Sequence, residues 1–401
     1  MSLPYEGLKV LDVSQGAAGP YCAEVLWQQG ADIVKVEPPA GDWSRGVGVL
    51  RDDISSLTIS MNGGKRGLCV DAATAAGRAI LIELAKQADV VVQNFRPGVA
   101  VRLGLDPTAL RQENPGLIYV SISGYGLDGP YSVAPATDSV VQADAGLMFS
   151  NRGEGAPRKM GIFLADLNAG LYAAQAVGAA LFQRTRSGTG EHIEINLFDT
   201  SAAVLVGNYA EHALDPEREA RASVALTAPN GTFQAKDGSI NVVTMNDQQF
   251  ARLAAALGHA EWLERPEFSG MKARVANVGL LNSLIGDVLS GQTVDHWSAK
   301  LVEADILHAP VRNYSQCMAH PQARHLGTFE SFQQPGLGTI SLPGIPDRKL
   351  RRRQEAAPYL GEHSVAILEE AGFSRQQIDQ WLQSGAVIQR PDGPAASRSK
   401  V

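Results

Sequence analysis

Between Leu8 and Ser123 short apolar runs alternate with amphipathic stretches, and this rhythm limits the possible folds more than any other feature. Leu8-Lys-Val-Leu-Asp-Val13 reads as a buried strand, Ser14-Gln-Gly-Ala-Ala-Gly19-Pro20 as a turn, and the stretch through Ala23, Leu26 and Trp27 to Gly30 as a helix. Pro20 suits the first helical position, where its missing N–H costs nothing. Asp32-Ile-Val-Lys-Val-Glu37 is a second strand, stopped by Pro38-Pro39. A helix over 77–87, a strand over 89–93, a helix over 105–113 and a strand over 117–123 continue the series. Strands separated by single helices are joined by crossovers and lie parallel. The expected class is α/β, with a Rossmann-like large domain over 1–200.

After Asp199 the pattern changes. Residues 201–224, helical over 201–211, are expected to link to a smaller α+β domain over 225–320. That domain opens with two strands around Lys236-Asp-Gly238, a good hairpin turn, and continues with helices over 248–257, 280–289 and 296–304. A second linker spans 321–350, its Gly- and Pro-rich part over 335–346 read as an extended connector. A helix pair over 362–372 and 375–385 lies within 351–389. The tail 390–401 is too polar and too rich in Pro, Gly and Ser to order itself.

Bulk properties exclude several classes. The 401 residues carry a net charge of −7, which disfavours general nucleic-acid binding. No apolar stretch is long and charge-free enough to span a bilayer, so no membrane role is expected. Met1-Ser-Leu-Pro-Tyr-Glu-Gly7 lacks the basic and apolar regions of a signal peptide, which makes the cytosol the expected compartment. Cys22, Cys69 and Cys317 are far apart and form no CxxC, so neither a disulfide framework nor a metal site is expected.

Asp166 stands out chemically. It lies in Gly161-Ile-Phe-Leu-Ala-Asp166 and opens a helix whose apolar positions include Leu167, Leu171, Ala174, Gly178 and Leu181. A basic turn over 184–190 and a strand over 191–198 follow. An aspartate at a strand-to-helix turn is either an N-cap, worth about 1 kcal/mol, or a carboxylate that free N–H groups and the helix dipole keep ionised. In the second case it is a nucleophile at neutral pH.

Further motifs accompany it: Val34-Lys-Val-Glu-Pro-Pro39, Lys65-Arg66 with 68–71, Asn94-Phe-Arg-Pro-Gly98 with Arg102-Leu-Gly104, Ile122-Ser-Gly-Tyr-Gly126 with Gly129-Pro130, and Pro358-Tyr-Leu-Gly-Glu-His363. In this order, and with the segment 161–199, they resemble the family III CoA-transferases (the formyl-CoA transferase and carnitine CoA-transferase group) over nearly the whole chain. The resemblance implies that Asp166 is a covalent nucleophile. It implies coenzyme A and acyl-CoA as substrates, with no permanently bound cofactor. It implies an interlocked homodimer, each subunit passing through the ring of the other, with C-terminal helices returning to the large domain. Lys65, Arg66, Asn94, Phe95 and Arg102 match positions that touch CoA, where cations suit phosphates. Without the resemblance, Lys65, Arg66 and Arg102 read as solvated charge. Gly16, Ala17 and Ala18 belong to a turn whose small side chains admit close backbone approach, a candidate source of oxyanion N–H groups. Asp138, with Thr137 before it, matches an acidic position near the substrate; a helix cap is the alternative.

The chain departs from the formyl-CoA transferases in places. Ala17 replaces a glutamine, Pro38 an arginine, and Pro135 and Thr137 a lysine and a tyrosine, which argues against oxalate or formate as the acyl group. No glycine run stands near Thr244, where that subgroup has a lid. Arg152, Arg158 and Lys159 suit the distal carboxylate of a dicarboxylic acid such as succinate or itaconate, or are plain loop charge. Three rivals stand. A 2-methylacyl-CoA racemase of the same fold needs a histidine where Thr137 precedes Asp138. An NAD-dependent oxidoreductase needs a full G-x-G-x-x-G, which Gly16-Ala-Ala-Gly19 lacks. The third is a non-catalytic CoA-binding protein.

Overall fold

A computed structural model describes residues 2–51, 53–153, 155–217 and 226–391. The expected tail from 392 onward and part of the first expected linker, 218–224, lie outside the described residues. The chain forms two compact units, Met1–Ala213 with Arg324–Val401, and Leu214–Ala323.

The first unit is built on β1 (Lys9–Asp12), α1 (Ala18–Gln28), β2 (Asp32–Glu37), β3 (Arg66–Val70), α2 (Ala75–Gln87), β4 (Val90–Gln93), α3 (Pro107–Glu113), β5 (Ile118–Ser123), α4 (Asp138–Asp144), α5 (Leu164–Ser187) and β6 (His192–Asn196). The strands lie in the order β3-β2-β1-β4-β5-β6, all parallel, and Val387–Ile388 adds an antiparallel edge beside β3. Alternation along each strand feeds two cores. Val10, Val90, Val92 and Val120 face α1 and α5, while Leu11, Val91 and Tyr119 face Ile80, Leu84, Ile367 and Ile378. Both faces being covered explains why the central strands read as unbroken apolar runs. The C-terminal helices Ser364–Glu370 and Arg375–Ser384 belong to this second core.

Strand order reverses between β1 and β4. In an open parallel sheet the crevice outside the strand ends at such a reversal is where ligands bind. Helices α1 and α5 meet beside it at very short range: a Cβ on Gly170 would lie 2.7 Å from the Ala18 carbonyl oxygen and 3.2 Å from the Cys22 nitrogen. They run in the same direction. Further along α5, a Cβ on Gly178 would lie 2.9 Å from the Tyr5 hydroxyl, and the Tyr5 N–H bonds Gln29 at the end of α1. Pro20 is the third helical residue of α1 rather than the first, because the helix starts at Ala18 with Ala17 as its cap. The ring is still tolerated, since first-turn N–H groups have no helical acceptor.

The second unit pairs Asn230–Gln234, Ser239–Val243 and Leu307–Pro310 in an antiparallel sheet. Its core includes Phe233, Ile240, Phe250, Leu281, Ile285, Trp297 and Leu301. Two expectations about connectors change. Residues 201–213 are largely helical and belong to the first unit, in Leu197–Val204 and Val206–Leu214. Residues 335–346 are not an extended connector. Phe329–Gln334 and Gly338–Pro343 form a hairpin, closed by a hydrogen bond from Leu337 N to Gln334 O and by Gly336 at φ 76°. Pro followed by Gly fits a tight turn that demands a positive φ at its second central residue. Among the described residues no helix is long and apolar enough to cross a membrane.

Candidate active site

The turn after β1 and the loop after β4 are joined at the strand-order reversal. Gln15 N–H donates to Asn94 Oδ1 at 2.8 Å and Asn94 Nδ2 donates to Gln15 O at 2.7 Å. Gly16 has φ 82°, and a Cβ there would lie 1.9 Å from the Trp43 ring. Its N–H is already taken by Asp42, at 2.9 and 3.1 Å to the two carboxylate oxygens. That removes Gly16 from the oxyanion donors expected in this turn. By contrast, the N–H groups of Ala17, Ala18 and Gly19 meet no acceptor among the described residues. Open N–H groups at the start of an eleven-residue helix suit an anion. Phe95 N–H is held by Gln93 Oε1 at 2.7 Å, which fixes the loop. Beyond it, Arg96 and Arg102 are exposed and have no side-chain partner among the described residues.

Lys65 and Arg66 take other places than expected. Lys65 is 2% exposed, and its ammonium donates to Asp12 Oδ2 at 2.9 Å, Pro20 O at 2.8 Å and Asn62 Oδ1 at 3.0 Å. An ammonium has three protons, so none is left for a phosphate. Burial pushes Lys65 below its usual pKa, against the pull of Asp12. Burial alone would raise Asp12, but Lys35 and Lys65 outweigh it and hold that carboxyl below its ordinary range. Lys35 bridges to Asp42 at 3.0 Å and donates to Ser14 O. These four buried charges brace the turn from beneath. Arg66 begins β3, at the edge of the sheet where the parallel strands start, away from the Gly16 turn and the Asn94 loop. Its guanidinium is engaged by Asp32 at 2.9 Å and by Glu370. Glu37, at the end of β2, is also spent: Arg45 binds both its oxygens at 2.6 Å and Asp42 N–H donates to it at 2.8 Å.

Asp166 is the third residue of α5, in its first turn. Phe163 is the N-cap, without a side-chain cap, so Asp166 is not the capping residue. No strand precedes it; the chain enters from a loop. The donors at this helix start are used elsewhere. Leu164 N–H bonds Ile162 O, and Ala165 and Asp166 N–H reach Asp138 Oδ1 at 2.9 and 3.4 Å. Among the described residues the Asp166 carboxylate accepts no hydrogen bond. Its pKa is pushed up to about 7, by burial foremost and then by the Asp138 charge, with Lys159 opposing. The expectation that a helix start keeps this group ionised is therefore corrected: Asp138 intercepts the amides that would have stabilised the charge. Asp138 is indeed a cap, but of α5 rather than of its own helix. Thr137, beside it, is exposed and makes no side-chain capping bond. Asp166 shares a helix face with Gly170, one turn earlier. Since α1 and α5 run the same way, that face looks toward the turn that opens α1.

The structure thus gathers Gly16, Ala17, Ala18, Asn94, Phe95 and Arg102 around the sheet crevice, with Asp138 and Asp166 on the adjoining helices, and leaves out Lys65 and Arg66. Sequence reading missed Asp42, Lys35 and Gln142; only Lys35 carried a signal, as a charged residue inside an apolar strand.

Open N–H groups at the start of α1, with a half-buried carboxylate on the neighbouring helix, are an arrangement suited to acyl transfer. Residues 5–364 match CoA-transferase family III, and the chain belongs to that family. It is 32% identical to the succinyl-CoA:glutarate CoA-transferase of Homo sapiens, over 96% of this chain and 90% of that one. Identity to the acetyl-CoA:oxalate CoA-transferase of Acetobacter aceti is 33%, over 92% and 95% of the two chains. Among solved structures, a CaiB/BaiF family protein from Brucella suis superposes with a TM-score of 0.83 at 30% identity, covering 92% of this chain and all of its own.

Proposed function

We propose that this CoA-transferase works through covalent intermediates on Asp166 and that its acyl groups come from small dicarboxylic acids. The observation that carries the reading is a half-buried carboxylate that accepts no hydrogen bond among the described residues, on the helix face that looks toward the open N–H groups of α1. The Asp166 oxygen attacks the donor thioester carbon and expels CoA thiolate, leaving an aspartyl–acyl anhydride. The thiolate attacks the aspartyl carbon and expels the donor carboxylate, leaving an aspartyl-CoA thioester. The acceptor carboxylate displaces the thiolate from that carbon. The thiolate then attacks the acceptor carbonyl and returns Asp166 as a free carboxylate. Ala17, Ala18 and Gly19 supply N–H donors for the tetrahedral oxyanions. Because only ionised Asp166 attacks, kcat/KM rises with pH and levels off above about 7.

The relatives' glutarate and oxalate support a dicarboxylate, as do the exposed Arg158 and Lys159 in the loop that leads to Asp166. The departures at Ala17, Pro38, Pro135 and Thr137 favour an acid larger than oxalate. The test is an exchange assay of free succinate, glutarate, itaconate and oxalate against succinyl-CoA and acetyl-CoA. Transfer to monocarboxylates alone would overturn the dicarboxylate reading.

Arg102, with no side-chain partner among the described residues, is assigned to the CoA phosphates. Arg102→Ala is expected to raise KM for acyl-CoA by roughly tenfold at unchanged kcat, the value of a charge-assisted hydrogen bond. In the wild-type protein the same KM climbs with salt, because exposed ion pairs are screened. A KM equal to wild type in Arg102→Ala would remove the assignment.

The strand order, with its reversal between β1 and β4, supports a Rossmann-like description of the first unit. The interlocked homodimer belongs to this proposal as well. Leu171, Tyr172 and Phe182 on α5, and Val204, Val206 and Tyr209 after it, are large apolar side chains left exposed, which suits cover by a partner. Light scattering is expected to give a dimer that persists on dilution to nanomolar concentration; an active monomer would contradict it.

A further inference from the structure

Gln142 takes no part in the chemistry above, yet it is 0% exposed and both ends of its amide are committed to the Asp166 turn. Nε2 donates to Asp138 Oδ2 at 2.8 Å and to Ile162 O at 3.0 Å, and Oε1 accepts from Met160 N at 3.0 Å. The first contact holds the carboxylate whose other oxygen receives the N–H groups of Ala165 and Asp166. The other two hold the backbone that feeds α5. Among the described residues no cation pairs with Asp138, so the neutral amide of Gln142 is its side-chain donor.

We propose that Gln142 is a positioning residue for the nucleophile: it fixes at once the loop entering α5 and the carboxylate that closes the start of that helix. The inference rests on the reading of Asp166 as the nucleophile. A buried carboxylate with one oxygen left without a donor would rotate or draw in water. Either frees the amides at the start of α5 and shifts Asp166 against the cradle at the head of α1. Among the described residues the charged groups that act on Asp166 are Asp138 from α4 and Lys159 from the incoming loop, while Tyr21 from α1 packs against Gly170 on the same face of α5. Asp199, on the helix after β6, is bound to Asn196. Asp138 alone among them touches Gln142.

Two variants test this beside Asp166→Asn. Gln142→Met keeps length and volume but removes all three bonds. It is expected to lower kcat roughly 10–100-fold, the cost of a small misplacement, while KM for acyl-CoA stays within about twofold. Gln142→Glu sets a carboxylate against Asp138, and the midpoint of the pH–rate curve is expected to move upward by at least about half a unit. A merely structural role would move neither the kcat-to-KM split nor the midpoint. A changed KM at unchanged kcat, or a midpoint equal to wild type in Gln142→Glu, would overturn the proposal. If Gln142→Met fails to fold by circular dichroism, Gln142→Glu carries the test. Full exchange activity in Asp166→Asn would overturn the nucleophile reading instead, so the two failures are distinguishable.

Discussion

Asp166→Asn is expected to abolish CoA exchange and, above about pH 7, to stabilise the folded chain. An amide cannot attack a thioester, so turnover falls by at least about a thousandfold, as for other covalent nucleophiles. The stability effect follows from the raised pKa. The fold favours the protonated carboxyl, whose ordinary value of 3.8 is pushed up to about 7 by burial and by Asp138. The contribution of Asp166 to stability is therefore full below about pH 4, declines as the pH rises toward 7, and then levels off. Asparagine does not ionise and escapes that decline. At roughly 1.4 kcal/mol per pKa unit, its advantage has a ceiling of about 4 kcal/mol at about pH 8 and vanishes near pH 4. Urea unfolding at both pH values reads this difference. An inactive variant that is also less stable at high pH would mean that Asp166 holds the fold rather than serves the reaction. Gain of stability on loss of function is the mark of a site kept strained for its chemistry.

The second large effect is at Lys65. Lys65→Met is expected to destabilise by about 3 kcal/mol, the cost of breaking a buried ion pair, because Asp12 Oδ2 would lose its ammonium donor while only Ser14 and the nearby Lys35 remain. Arg66→Ala, at a partly exposed pair, is expected to cost under about 1 kcal/mol. Thermal or urea unfolding of the two variants side by side makes the comparison. A Lys65→Met protein of wild-type stability with a raised KM for acyl-CoA would return Lys65 to the ligand.

The sheet was legible because its central strands are buried on both faces, and Val90-Val91-Val92 has to be apolar throughout. The placement of Asp166 at a helix start and of the Asn94 loop after a strand was legible from the sequence. The state of Asp166 was not, because it depends on Asp138, 28 residues away and brought close only by folding. Lys65 and Arg66 are neighbours in sequence, but one turns into the core and the other outward at the start of β3, and the sequence holds no record of which acceptors wait on each side. The hairpin over 329–343 was hidden because Pro335-Gly336 signals a break equally well in a connector and in a tight turn.

The central claim is a covalent bond at the Asp166 carboxyl carbon, and chemical trapping tests it most directly. The wild-type protein is mixed with an acyl-CoA that it turns over, quenched with hydroxylamine and digested, and the peptide around Asp166 is weighed. A hydroxamate on Asp166, present only with the thioester and absent from Asp166→Asn, is the predicted result. An unmodified Asp166 peptide from protein trapped during active exchange would contradict the account.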